Sequence, residues 1–147
     1  MTALRDIISP ELILADSNAT SKKRVLEQVA ELCANPSDMD TFYQLLIERE
    51  KLGSTAVGEG VAIPHCRVPN LHKAVGCFIK LKQGVDFDAP DNEPVNWVFG
   101  LCVPEDATTE HNNLLAEIVT LLSQAKIRKQ LEHAQSAEAI YQILTAS

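Results

Sequence analysis

The sequence predicts an α/β fold, a mixed central sheet flanked by helices, in a single domain spanning residues 1–147. Three observations carry this expectation. Before Gly53 apolar residues recur at helical spacing, and from Gly53 onward the period shortens to that of strands. The stretch VNWVFGLCV at 95–103 is apolar on both faces, as a strand lying between two layers must be. Helical spacing then returns near Thr108. A chain of 147 residues can bury such a core without disulfides or a metal.

The elements follow in order. Ser21 is suited to cap a first helix whose apolar face is Val25, Val29, Leu32 and Cys33, and NPSD at 35–38 ends it. Asp38 can cap a second helix, with a face running Phe42, Leu45, Leu46 and, at the next step of the same series, Arg49. Gly53 breaks it. VAI at 61–63 and AVGCFIKL at 74–81 read as strands, the latter with Val75, Cys77, Ile79 and Leu81 on one face. DFDAPDNEP, an acidic and proline-punctuated loop, leads into the strand at 95–103. Thr108 or Thr109 is expected to cap a long helix with Leu114, Leu115, Ile118, Leu121, Leu122 and Ala125 in register. A shorter helical stretch and a final helix from Ser136, SAEAIYQIL, complete the chain. No internal repeat, low-complexity segment or linker interrupts this order.

Composition excludes several classes. Although 46% of residues are hydrophobic, no run approaches the ~20 apolar residues of a membrane helix, so no membrane insertion is expected. The first residues, MTALRDIISPELIL, lack a basic segment followed by a long apolar core, so no signal peptide is expected and the cytoplasm is the expected location. Net charge is −7 with scattered basic residues, which disfavours nucleic acid as a partner; the triplet Lys22-Lys23-Arg24 reads as a solvated helix face. Four cysteines without a C-x-x-C pair read as buried reduced thiols. His65, Cys66 and His72 fit no common zinc spacing, and no metal is expected. Gly53 to Gly58 has P-loop spacing but is followed by Glu59 where lysine is needed, and Ile63 stands where a dinucleotide loop needs its third glycine.

Three residues remain that carry chemistry. His65 ends the strand VAI directly after Pro64, which restrains the backbone before it. It is either a hydrogen-bonded structural histidine or a nucleophile, whose one nitrogen offers a lone pair while the other donates to a fixed acceptor. Arg49 continues an apolar stripe, where a guanidinium is costly unless an anion answers it. Placement at a helix carboxyl end or pairing with a glutamate would account for it equally. His111 shares a helix face with Leu114, Leu115 and Ile118, turned toward the core near a helix amino end that disfavours imidazolium; alone it would read as a half-buried histidine. His72 and His133 read as surface residues. Two histidines and an arginine facing inward, with no metal motif, suggest phosphoryl transfer to histidine.

The stretch Glu50 to Cys66, EKLGSTAVGEGVAIPHC, resembles the phosphorylation-site signature of the fructose/mannitol/nitrogen-type enzyme IIA (EIIA) family of the bacterial phosphoenolpyruvate-dependent phosphotransferase system. SKKRVLE, EREKLGST, KAVGCFIKL, FDAPDNEPV, FGLCVPED and AQSAEAIYQIL are most similar to its nitrogen branch, whose members are stand-alone regulators. The resemblance implies a three-layer α/β/α fold and a phosphoryl acceptor at His65, attacking through Nε2 to give the tele-phosphohistidine. Arg49 and His111 fall on the positions that flank the acceptor, and the implied donor is an HPr-type phosphocarrier. The Ser54 and Thr55 hydroxyls are expected to help steady the transferring group. No cofactor or metal is expected, because the donor's P–N bond is already activated and the work is positioning. Targets would be regulated proteins, with potassium transporters and sensor kinases among the family's partner classes. The alternative is an EIIA subunit passing phosphate to a sugar permease. Cys66 replaces the commoner glycine after the histidine.

Overall fold

The computed structural model describes residues 3–146, apart from the side chains of Thr108 and Glu110. Its strands are β1 (Ile13–Ser17), β2 (Ala56–Gly58), β3 (Val61–Ala62), β4 (His65–Val68), β5 (Val75–Val85) and β6 (Val95–Pro104). Its helices are α1 (Leu4–Ile7), α2 (Lys22–Cys33), α3 (Met39–Lys51), α4 (Thr108–Leu122), α5 (Ala125–His133) and α6 (Ala137–Thr145). The apolar run at 95–103 is the centre of the sheet, as its two-faced hydrophobicity requires. β6 pairs antiparallel with β5 and parallel with both β3 and β4. β1 extends the sheet parallel to β5, and β2 extends it antiparallel to β3, giving the order β1-β5-β6-β3-β2 with β4 also on β6.

Alternation along β6 divides the core in two. Val98 and Cys102 face α2 and α3, packing with Val25, Leu26, Val29, Phe42 and Leu46. Phe99, Leu101 and Val103 face the opposite layer, packing with Leu114, Ile118, Leu131 and Ile140. The result is the three-layer α/β/α arrangement, and each wholly buried Leu, Ile or Phe in it contributes about 1.5–3 kcal/mol. Gly100 interrupts the apolar run because α2 lies directly over it: a Cβ there would sit 2.6 Å from Val29 Cγ1 and 2.8 Å from Cys77 Sγ.

Caps formed by local contacts are where the sequence placed them. Ser21 Oγ accepts from Arg24 N at 3.1 Å, and Ser136 Oγ accepts from Ala139 N at 3.1 Å. Asp38 occupies the N-cap of α3 without a side-chain bond. The N-cap of α4 is Ala107, so Thr108 and Thr109 fall inside its first turn instead of capping it. α4 also ends sooner than its apolar register suggests. Gln124 is extended, Ala125 belongs to α5, and Arg128 Nη1 donates to the Leu122 carbonyl at 2.9 Å, satisfying an end that would otherwise lack a partner. On α2, Leu26 is wholly buried, whereas Leu32 and Cys33 are only half-buried, because two helices and the sheet cover a broader face than one stripe. Strand β5 runs to Val85, beyond the expected end at 81, and α1, β1, β2 and β4 were not expected at all.

Candidate functional site

β3 and β4 run along the same side of β6, interrupted between them at Ile63-Pro64. Ile63 N turns away to donate to Thr55 O at 3.0 Å, while the Pro64 carbonyl accepts from Leu101 N at 2.9 Å, so the chain rejoins β6 with His65 opposite Leu101. Proline suits the interruption because it has no N–H to leave unpaired. The kink also brings the His65 ring back over its own backbone. Nδ1 lies 2.8 Å from Ile63 O. A carbonyl can only accept, so Nδ1 carries the proton and the lone pair of the neutral ring is on Nε2.

His65 is half-buried and lines an open cleft of about 560 Å³ together with Arg49, Arg67 and His111. The cleft lies between layers: Arg49 comes from α3, His65 and Arg67 from β4, and His111 from the amino end of α4. The His65 and His111 rings meet edge to face, with centroids 5.2 Å apart and planes at 77°. His111 is only 6% exposed, and its Nδ1 is buried with no hydrogen-bond partner among the described residues. Arg49 is half-buried and in the last turn of α3, where Nη1 donates to the Gly53 carbonyl at 3.0 Å. Its placement therefore satisfies a helix end and also supplies charge to the cleft.

The surroundings hold both imidazoles neutral. Burial lowers the pKa of His65; the bond to Ile63 opposes this, and the Arg49 cation adds to it. Burial pushes His111 down from 6.5 to about 4, helped by the adjoining His65 ring and by the Arg67 and Arg49 cations. A neutral imidazole is the nucleophilic form, so at neutral pH no base is needed to prepare His65.

The structure does not bring Ser54 and Thr55 into this cleft. Ser54 Oγ donates to the Phe87 carbonyl and accepts from Ala56 N at 3.1 Å. Thr55 is buried, with Oγ1 donating to Glu50 Oε1 at 2.6 Å and its N donating to Oε2 at 2.9 Å. Both hydroxyls fix the turn between α3 and β2, and the buried carboxylate of Glu50 organises that turn, tied to α2 by Lys22 Nζ at 3.0 Å. Glu50 and Arg67 are the residues whose part in building the site sequence reasoning missed. Arg67 shares a face with His65 because β4 starts at His65, a strand that the sequence does not announce.

His72 and His133 are exposed. The four cysteines are reduced; Cys66, Cys77 and Cys102 are buried on the α2–α3 side of the sheet, with Cys66 Sγ 3.8 Å from Cys102 Sγ. That contact and burial hold the Cys66 thiol well above the ordinary range, so it is no thiolate nucleophile beside His65. Among the described residues, no group of three or more His, Cys, Asp or Glu is arranged to hold a metal, and no helix is long and apolar enough to cross a membrane.

Comparison with known proteins agrees with this architecture. The chain is 45% identical to a nitrogen regulatory protein of Pseudomonas aeruginosa, over 98% of this chain and 96% of the relative. It is 41% identical to a nitrogen regulatory protein of Bradyrhizobium diazoefficiens, over 96% of this chain and 94% of the relative. Among solved structures, it superimposes on the nitrogen regulatory protein IIA-Ntr of Neisseria meningitidis with a TM-score of 0.92 at 41% identity, covering 97% of this chain and 99% of that one. Residues 6–147 match the family described as phosphoenolpyruvate-dependent sugar phosphotransferase system, EIIA 2, and the chain belongs to that family, as a phosphotransfer component with nitrogen regulatory relatives.

Proposed function

We propose that this protein is a nitrogen-type EIIA that accepts a phosphoryl group on His65 from an HPr-type phosphocarrier in the cytoplasm and regulates other proteins according to its phosphorylation state. The observation that carries this reading is the bond from His65 Nδ1 to the Ile63 carbonyl, which reserves Nε2 for attack. The Nε2 lone pair forms the new N–P bond as the donor's N–P bond breaks in line, and that bonding pair returns to the donor imidazole. The donor ring keeps the proton on its other nitrogen and leaves neutral, while His65 keeps its Nδ1 proton and becomes the phosphorylated imidazolium. No net proton transfer is required, so the work is positioning and charge stabilisation. Arg49 supplies positive charge to the transferring oxygens, and neutral His111, against the His65 ring, restrains its orientation.

Regulation follows from the added charge, which can make or break an interface with a target such as a transporter or a sensor kinase. The test is incubation with labelled phosphoenolpyruvate, enzyme I and the HPr-type carrier. Wild type is expected to take up an acid-labile, alkali-stable label, and His65→Ala none; label retained by that variant would overturn the assignment. Rapid loss of label to membranes on adding a sugar would instead mark a transporter subunit.

A further inference from the structure

Arg67 shares the cleft with His65, Arg49 and His111, although no motif points to it. It follows His65 by two positions on β4, so both side chains leave the same face of the strand, with backbone positions roughly 7 Å apart. An extended arginine is long enough to cover that distance, so its guanidinium can reach a group on His65 Nε2. Arg49 approaches from α3, on another side of the cleft. Two arginines therefore line the same cleft as a pair of neutral imidazoles, in a protein whose net charge is −7. The charge of Arg67 also contributes to keeping His111 unprotonated. Such an arrangement suits a dianion that arrives with a partner and then stays.

We propose that Arg67 is a second phosphoryl-binding group, which contacts the phosphoryl oxygens once His65 is modified and lengthens the life of the phosphorylated protein. This deepens the assignment of His65 as acceptor and rests on it. Loss of the group to water forms an O–P bond as the N–P bond breaks. The bonding pair returns to Nε2, the water gives up a proton, and neutral His65 and inorganic phosphate remain. In the loose transition state the departing group carries less negative charge on its outer oxygens than the bound dianion does. A guanidinium on those oxygens therefore holds the bound state more firmly than the transition state for loss. A long-lived phosphorylated state is what a regulator needs and what a carrier between two partners does not.

The experiment measures two quantities on wild type, Arg67→Ala, Arg67→Gln and Arg67→Lys, with thermal unfolding as a check that each variant is folded. The first is the half-life of label on the isolated protein after the donor has been removed. The second is single-turnover transfer from phosphorylated HPr-type carrier across donor concentrations. Arg67→Ala and Arg67→Gln are expected to shorten the half-life roughly five- to tenfold and to lower the transfer rate at saturating donor, with Arg67→Lys in between. A change confined to the donor concentration giving half-maximal rate, with the half-life unaltered, would make Arg67 a docking residue and overturn the proposal. So would a wild-type half-life in every variant. If wild type itself takes no label on His65, the acceptor assignment fails and this proposal fails with it.

Discussion

Part of the weakening of the fold in acid should pass through the side chain of His111. Its ring is 6% exposed on α4, with His65 and Arg67 of β4 and Arg49 of α3 acting on it. The folded protein holds its pKa at about 4, against 6.5 for the free imidazole. Between those values the unfolded chain binds a proton that the folded one refuses. Stability from this group is therefore complete above about pH 6.5 and is lost as pH falls toward 4, by about 3 kcal/mol at ~1.4 kcal/mol per pKa unit. Carboxylates titrate in the same range, so the informative quantity is a difference. Urea unfolding of wild type and His111→Gln at pH 7, 5 and 4 should show wild type losing about 3 kcal/mol more than the variant across that span. An NMR titration of the His111 Cε1 proton gives the pKa directly. A value at or above 6.5, or the same pH dependence in both proteins, would refute the reasoning.

Three other outcomes follow from the geometry. Arg49→Ala should slow phosphoryl uptake at least tenfold while leaving the unfolding transition within about 1 kcal/mol of wild type, since the side chain is half-buried and holds one carbonyl. Glu50→Ala should cost about 2–4 kcal/mol in urea unfolding, because it unties Thr55 and leaves Lys22 without its buried partner; a loss under 1 kcal/mol would mean that water already screens the network. Gly100→Ala should cost about 1–3 kcal/mol by driving a methyl into Val29, and a second change, Val29→Ala, should cost less in that background than in wild type.

What could be read from the sequence was what local spacing decides. Ser21 and Ser136 cap their helices because a cap needs only the next three residues, and β5 and β6 announce themselves through alternation and continuous apolarity. β4 was hidden because HCRV is four residues long, half polar, and becomes a strand only by pairing with a partner more than thirty residues ahead. With β4 hidden, the shared face of His65 and Arg67 was hidden as well. Ser54 and Thr55 were misplaced for a related reason. Hydroxyls beside a glycine suggest an anion loop, but here a buried glutamate and a distant carbonyl take their protons, and neither partner can be paired with them from spacing alone. His65, Arg49 and His111 were legible because each breaks a pattern that the surrounding residues keep.

The site's position explains why such distant residues share one cleft. Side chains alternate along β4, so Cys66 and Val68 enter the α2–α3 core, while His65 meets the ring of His111 on α4 from the other layer. Arg49 reaches the same cleft from the carboxyl end of α3, and its bond to Gly53 fixes where that helix stops. β4 is thus the point at which both helical layers touch the same stretch of sheet. The transfer proposed for His65, between two imidazoles at equal proton count, asks for little more than a neutral nitrogen, a charged cradle and an open approach. The side chains that line the cleft come from α3, β4 and α4, so none of these helices or strands could form the site alone. The geometry of the cleft depends on how β4 seats against β6, and Pro64, whose carbonyl receives the first bond of that pairing, sets it one residue before His65.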